Sequence, residues 1–249
     1  MMRTAVVTGG GTGIGRAIAK RLSADGTRVI IVGRRKDVLA DAAAEINKSH
    51  GDELVEYRAA DLADPDQVDE LAGVITAECG VDFLINNAGG DVGFGHRTET
   101  LSDLADKYRT DFTANLITTM LITEALLPAI TRPGGRIVMI TSGAGLRGSG
   151  SYGVAKAAVH GYMWDLTNRL AAQQVTANAI APSFVPDTEF WDGRRDPADA
   201  ATRVSRIPMN RPGTPSEVAE AVAYLCNAEA GWTTGQILQL NGGALLGHG

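Results

Sequence analysis

The sequence predicts one α/β domain over residues 1–249: a doubly wound, seven-stranded parallel sheet with helices on both faces. Three observations predict it. Seven apolar runs of strand length alternate with longer segments of helical period. The runs are continuously rich in Val and Ile, as strands buried on both faces are. A glycine cluster separates the first run from the first helical segment.

In chain order the strands are TAVVT (4–8), RVIIVG (28–33), LVEYRA (54–59), VDFLIN (81–86), RIVMIT (136–141), VTANAI (175–180) and QILQL (236–240). Helices are expected near 14–25, 37–48, 65–79, 101–129, 151–173 and 215–228. Asp64-Pro65 and Thr214-Pro215 mark two helix starts, and Gly26 and Gly80 follow two helix ends. Strands joined through helices pair in parallel by right-handed crossovers. Residues 182–211 form one long irregular stretch, read as a substrate lid over about 183–211.

Composition narrows the function classes. The chain has 249 residues, 44% hydrophobic and 21% charged, enough for one large domain with a full core. Its net charge of −6, without a basic stripe, argues against nucleic-acid binding. The arginines of 194–211 alternate with Asp192, Asp196 and Asp199, as on a solvated surface. No apolar run is read as long enough to span a bilayer, and the first residues run straight into a strand, so no membrane association is expected. Cys79 and Cys226 are far apart and belong to no metal-ligand cluster; reduced thiols and a cytoplasmic location are expected.

The turn VVTGGGTGIG places Gly9, Gly13 and Gly15 between the first strand and the first helix. Glycine permits the sharp turn and the close backbone approach that a pyrophosphate needs, and the helix N-terminus supplies free N–H groups. After the second strand stand Arg34 and Arg35, where NAD-binding folds carry an acidic residue for the ribose hydroxyls. Two guanidiniums at a helix start suit a 2′-phosphate, which predicts NADP(H) as cofactor.

In GSYGVAKAAVHGY, Tyr152 and Lys156 stand four apart and share one helix face. A free phenol titrates near pH 10; a neighbouring ammonium, together with a bound nicotinamide cation, lowers that value and lets the phenol exchange a proton at neutral pH.

With these motifs the chain resembles the short-chain dehydrogenase/reductase family over nearly its whole length, in particular its 3-oxoacyl-carrier-protein reductases and polyketide ketoreductases. Thr8 to Gly15 match its TGxxxGxG turn, Asp61-Leu62 its adenine-flanking pair, Asn86 to Gly89 its NNAG segment, and RPGTPSEVAEAVAYL with GQILQLNGG its C-terminal signature. The resemblance implies a Rossmann-type fold and a catalytic tetrad of Asn115, Ser142, Tyr152 and Lys156. It implies a cofactor held by Gly9, Thr12, Gly13, Ile14, Gly15, Asp61, Leu62, Asn87, Ala88, Gly89, Tyr152, Lys156, Pro182 and Thr188, beside Arg34 and Arg35. In that scheme Tyr152 is the proton donor, Ser142 hydrogen-bonds the substrate oxygen, Lys156 also holds the nicotinamide ribose, and Asn115 anchors a water leading to Lys156.

Two departures stand out. Nine residues separate Ser142 from Tyr152 where the family has twelve, and the residue at the usual spacing is Met139; the strand pattern keeps Ser142 at the sheet edge, with Ser149 and Ser151 as rivals. Ser183 follows Pro182 where the family has glycine, and Thr188 lies one residue late.

The lid carries Phe184, Phe190 and Trp191 in a chain with only 5% aromatics, so a hydrophobic ligand is expected. His96 falls in the loop after the fourth strand and is read as exposed. The favoured activity is NADPH-dependent reduction of a hydrophobic ketone or quinone, a polyketide-type ring system included. The alternatives are a 3-oxoacyl-carrier-protein reductase, for which Arg132 and Arg169 would supply docking charge, and an NADP(H) sensor without turnover. A homo-oligomer, tetramer or dimer, is expected through the long fourth and fifth helices, with Met163 and Trp164 at the interface.

Overall fold

The structure, a computed structural model, describes residues 2–191 and 197–247. The expected sheet is present: β1 (Thr4–Thr8), β2 (Arg28–Gly33), β3 (Val55–Ala59), β4 (Phe83–Asn86), β5 (Arg136–Ile140), β6 (Thr176–Pro182) and β7 (Ile237–Leu240) pair in parallel in the order β3-β2-β1-β4-β5-β6-β7. Val6 faces Ile30 on one side and Leu84 on the other, so β1 sits in the middle of the sheet.

Helices cover both faces: α1 (Gly13–Ala24), α2 (Lys36–His50), α3 (Pro65–Glu78), α4 (Leu101–Phe112), α5 (Thr118–Leu126), α6 (Gly143–Arg147), α7 (Gly150–Leu170), α8 (Pro197–Ser205) and α9 (Pro215–Cys226). Alternate strand residues feed two separate cores. Val7, Val29 and Ile31 meet Ile18, Leu22 and Val222 on one face, whereas Val6, Ile30 and Leu84 meet Ile75, Ile122 and Val159 on the other. A core truncation such as Ile30→Ala should cost about 2–5 kcal/mol.

Chain direction away from the centre reverses between β1 and β4. The loops leaving these neighbouring strands diverge there and leave a crevice at the carboxyl edge, the place where such sheets bind ligands. The candidate site lies at this edge.

Three expectations need correction. The helix expected over 101–129 runs unbroken through a π-turn at Thr113–Ile117 and is long and apolar enough, by composition, to cross a bilayer. Its charged residues are concentrated in the first turns, which leaves the remainder apolar; α5 packs beside α3 and α4 beside α7, on the sheet. The stretch 182–211 is not irregular throughout: it forms a 3-10 turn at Glu189–Trp191 and then α8. Trp191 stacks edge-on against Phe184 (ring centroids 5.0 Å apart), and the Arg203 guanidinium lies 4.9 Å from its ring centre. Asp192, Arg194, Arg195 and Asp196 lie outside the described residues. Met163 is fully buried in the second core, so of the two residues expected at an interface only Trp164, 49% exposed, faces outward.

Candidate active site

The glycine turn is shaped for close approach. Gly9 and Gly13 have positive φ (65° and 51°), a conformation that β-carbon sterics disfavour. A β-carbon at Gly15 would lie 2.2 Å from Gly9 O and 2.5 Å from Asn87 Nδ2, so only glycine fits. Thr12 is the N-cap of α1 without a side-chain capping bond, and α1 has no acidic residue in its own first turn, so its free N–H groups suit a ligand anion. Ile14 packs against the first core.

Thr8 and Asn87 tie this turn to the neighbouring strand end. Asn87 Nδ2 donates to Thr8 O (2.9 Å) and Gly9 O (3.2 Å), and the N–H groups of Asn87 and Ala88 both donate to Thr8 Oγ1 at 2.9 Å. Beyond β3, Asp61 accepts from Ala63 N through Oδ1, and Leu62 is buried in the second core. The resulting groove has hydrogen-bonded walls, glycines where a ligand would approach, and uncapped donors at its floor. These features fit a dinucleotide.

At the far end, Gly89 is the meeting point of Asn115 and Lys156, two residues of the expected tetrad. A β-carbon there would lie 2.6 Å from Asn115 Oδ1 and 3.2 Å from Lys156 Nζ. The π-turn places Asn115 inward, fully buried; its Nδ2 donates to Gly90 O and Asp111 O (both 2.8 Å) and its Oδ1 accepts from Gly90 N (3.0 Å). A π-turn in an α-helix commonly marks a functional position. Lys156 is 5% exposed and donates to Ile140 O at 3.0 Å, and burial lowers its pKa from 10.5 to about 8. Its ammonium lies 5.9 Å from the centre of the Tyr152 ring.

Ser142 lies two residues past the end of β5 and caps the short α6, its Oγ accepting from Ala144 N at 3.1 Å. The shortened loop is thus one and a half helical turns packed on α7. Both rivals are placed elsewhere: Ser149 is exposed at the start of α7, and Ser151 is buried with its Oγ donating to Asp111 Oδ2 at 2.5 Å. Phe190 covers Tyr152 with ring centroids 5.6 Å apart. Pro182 ends β6, and Thr188 reaches the glycine turn, its side chain 3.2 Å from where a Gly13 β-carbon would be. Arg34 is exposed; Arg35 donates to Glu189 Oε2 at 2.6 Å. His96 is exposed in its loop.

Two buried groups beside the site were not anticipated. Asp111 is fully buried between Ser151 Oγ and Gly93 N. His160, one turn after Lys156, bonds Thr141 Oγ1 through Nε2 at 3.0 Å; burial, with the Lys156 charge, lowers its pKa from 6.5 to about 4. An acidic residue one turn before Asn115 in a mostly apolar helix was the only sequence signal for Asp111.

The doubly wound sheet, its glycine-lined crevice and the Tyr152/Lys156 pair define a nicotinamide-dependent oxidoreductase. A family model described as enoyl-(acyl carrier protein) reductase matches residues 9–244. Nodulation protein G of a Rhizobium species is 37% identical over 249 residues, covering 98% of this chain and 97% of its own. The 3-oxoacyl-(acyl-carrier-protein) reductase FabG of Escherichia coli is 33% identical over 250 residues, 98% of each chain. Actinorhodin polyketide ketoreductase, in a crystal structure with NADPH, superposes with a TM-score of 0.85 at 29% identity, covering 98% of this chain and 97% of that one. The chain belongs to the short-chain dehydrogenase/reductase family and is an oxidoreductase.

Proposed function

We propose that the protein is an NADPH-dependent carbonyl reductase acting on a hydrophobic ketone or quinone, including cyclic and polycyclic ones. The observation that carries this reading is the aromatic wall over Tyr152: Phe190 lies on the tyrosine, with Trp191 edge-on to Phe190 (5.1 Å) and to Phe184 (5.0 Å). A flat apolar substrate placed there would replace ring–ring contact with ring–ring contact.

The cofactor supplies the hydride when bound. Gly9, Thr12, Gly13, Ile14, Gly15, Asn87, Ala88 and Gly89 would line its path, Asp61 and Leu62 its adenine, Pro182 and Thr188 its carboxamide end, and Arg34 with Arg35 its 2′-phosphate. Tyr152 gives its phenolic proton to the carbonyl oxygen as charge develops there. Ser142 donates a hydrogen bond to the same oxygen. The Lys156 ammonium, held by Ile140 O, favours the phenolate left behind, and Asn115 and Lys156, which converge at Gly89, would hold a water that returns the proton.

A screen of NADPH oxidation over polycyclic quinones, steroids, simple ketones and acyl thioesters, with Tyr152→Phe as blank, tests the reading. Turnover of the ring ketones and quinones is expected; turnover of acyl thioesters alone would favour the carrier-protein reductase, and tight NADPH binding with no turnover a sensor. The placement of the arginines speaks for the first. Arg169 is held by Glu124 (2.7 and 2.8 Å) and Asp165 (3.0 Å), and Arg132 by Gln173 (2.6 Å). Within one chain Arg169 lies roughly 26 Å along α7 from Tyr152. Self-association through the π-turn that leads into α5, which exposes Ile117, and through α7, which exposes Val154 and Trp164, belongs to the same proposal and is read by light scattering.

A further inference from the structure

The 3-10 turn Glu189–Trp191 joins the two ends of the site. Glu189 Oε2 accepts from Arg35 Nη2 at 2.6 Å and from Thr12 Oγ1 at 3.2 Å. Thr12 is the N-cap of α1 and Arg35 the N-cap of α2, so one carboxylate oxygen bonds residues at two helix N-termini, a location that favours an anion. The next residue, Phe190, lies on Tyr152, and the preceding one, Thr188, lies on Gly13. Three consecutive residues thus occupy the partners that the phosphates, the glycine turn and the catalytic tyrosine would offer to ligands.

We propose that Glu189 is an internal competitor for the cofactor's 2′-phosphate at Arg35, and that its displacement releases the turn that holds Phe190 over Tyr152. The inference rests on the NADP(H) reading above. A phosphate of nearly two negative charges draws a guanidinium more strongly than one carboxylate does, and Arg34 stands beside Arg35 to share it. The Arg35 and Glu189 side chains are about half exposed, so their pair is weak and readily exchanged. Glu189 then sets how far the protein prefers the phosphorylated cofactor, and a nucleotide lacking the phosphate leaves the turn in place.

The test compares the wild type with Glu189→Gln, a surface substitution, by equilibrium binding of NADPH and NADH. Glu189→Gln should raise the NADPH-over-NADH affinity ratio roughly two- to fivefold, the range an exposed ion pair supports. In a Trp164→Phe/Trp232→Phe background Trp191 is the sole tryptophan of the original three. There 2′,5′-ADP should change its emission while 5′-AMP does not, and Glu189→Gln should show the changed emission before any nucleotide is added. An unaltered ratio overturns the proposal, as does weaker NADPH binding, which would make Glu189 a cofactor ligand. A wild type that prefers NADPH with an unaltered ratio in Glu189→Gln discards the competitor alone. Equal affinities in both proteins discard the 2′-phosphate reading with it.

Discussion

The Lys156 ammonium lies 5.9 Å from the centre of the Tyr152 ring and is anchored to Ile140 O at 3.0 Å. The amine beside the phenol is therefore held by the strand end that leads, two residues later, to Ser142. Packing an amine so deeply has a measurable consequence for stability.

Burial takes Lys156 from 10.5 to about 8. Below about pH 8 folded and unfolded chains both carry the proton, and the folded state bears the whole cost of a desolvated charge. Between 8 and 10.5 only the unfolded chain keeps it, so wild-type stability rises with pH across that window. Lys156→Met should be more stable than wild type near pH 7, by an amount on the order of 3 kcal/mol, with the margin shrinking toward pH 10, while turnover is lost. Urea titrations near pH 7 and pH 9.5 check it; a less stable variant near pH 7 would show that the bond to Ile140 O outweighs desolvation.

His160 works in the acid range. Its folded pKa of about 4 lies below the ordinary 6.5, so the unfolded chain binds the proton first and stability falls as pH drops from 6.5 to 4, levelling below. Wild type should lose on the order of 3 kcal/mol more than His160→Gln over that interval. Equal losses in denaturation experiments at each pH would remove His160 as the cause.

Asp111 serves three segments: the loop after β4 through Gly93 N, the start of α7 through Ser151, and the π-turn through its own carbonyl, which accepts from Asn115. Asp111→Ala strands two buried donors, each costing about 1–3 kcal/mol. Ser151→Ala, which removes one partner only, should be milder. The expected result is a larger fall in melting temperature for Asp111→Ala, with kcat reduced because Ser151, the neighbour of Tyr152, loses its anchor while the bond from Asn115 to the Asp111 carbonyl remains.

Gly89→Ala adds a β-carbon 2.6 Å from Asn115 Oδ1 and 3.2 Å from Lys156 Nζ, at a φ of 146°. These atoms are attached to a helix turn and a buried chain, and must shift. A drop in kcat of about tenfold or more corresponds to about 1.4 kcal/mol of lost transition-state stabilisation. NADPH affinity should change less than kcat; the two are separated by binding titration and single-turnover kinetics.

How much of this was legible follows from the range of the forces involved. β2 runs over Arg28–Gly33 as its run of Val and Ile predicted, and α3 and α9 begin at the Asp-Pro and Thr-Pro pairs that announced them. Such signals are local: apolar periodicity and caps act over a few residues. Helix α8 and the 3-10 turn were missed because α8 lies in a charged, Pro-bounded segment and the turn is three residues long. The π-turn at Asn115 was equally hidden, since it is specified by where the Asn115 amide bonds and not by local propensity.

By itself the sequence determined the doubly wound sheet, the glycine turn and the i, i+4 pairing of Tyr152 with Lys156, because strand burial, turn sterics and helix pitch are properties of contiguous residues. Only the tertiary structure decided which charges meet. Arg35 and Glu189 are 154 positions apart and Asp111 and Ser151 are 40 apart. Pairs so distant are selected by the crossing of loops at the sheet edge, where Coulomb attraction and desolvation act through space without regard to chain order.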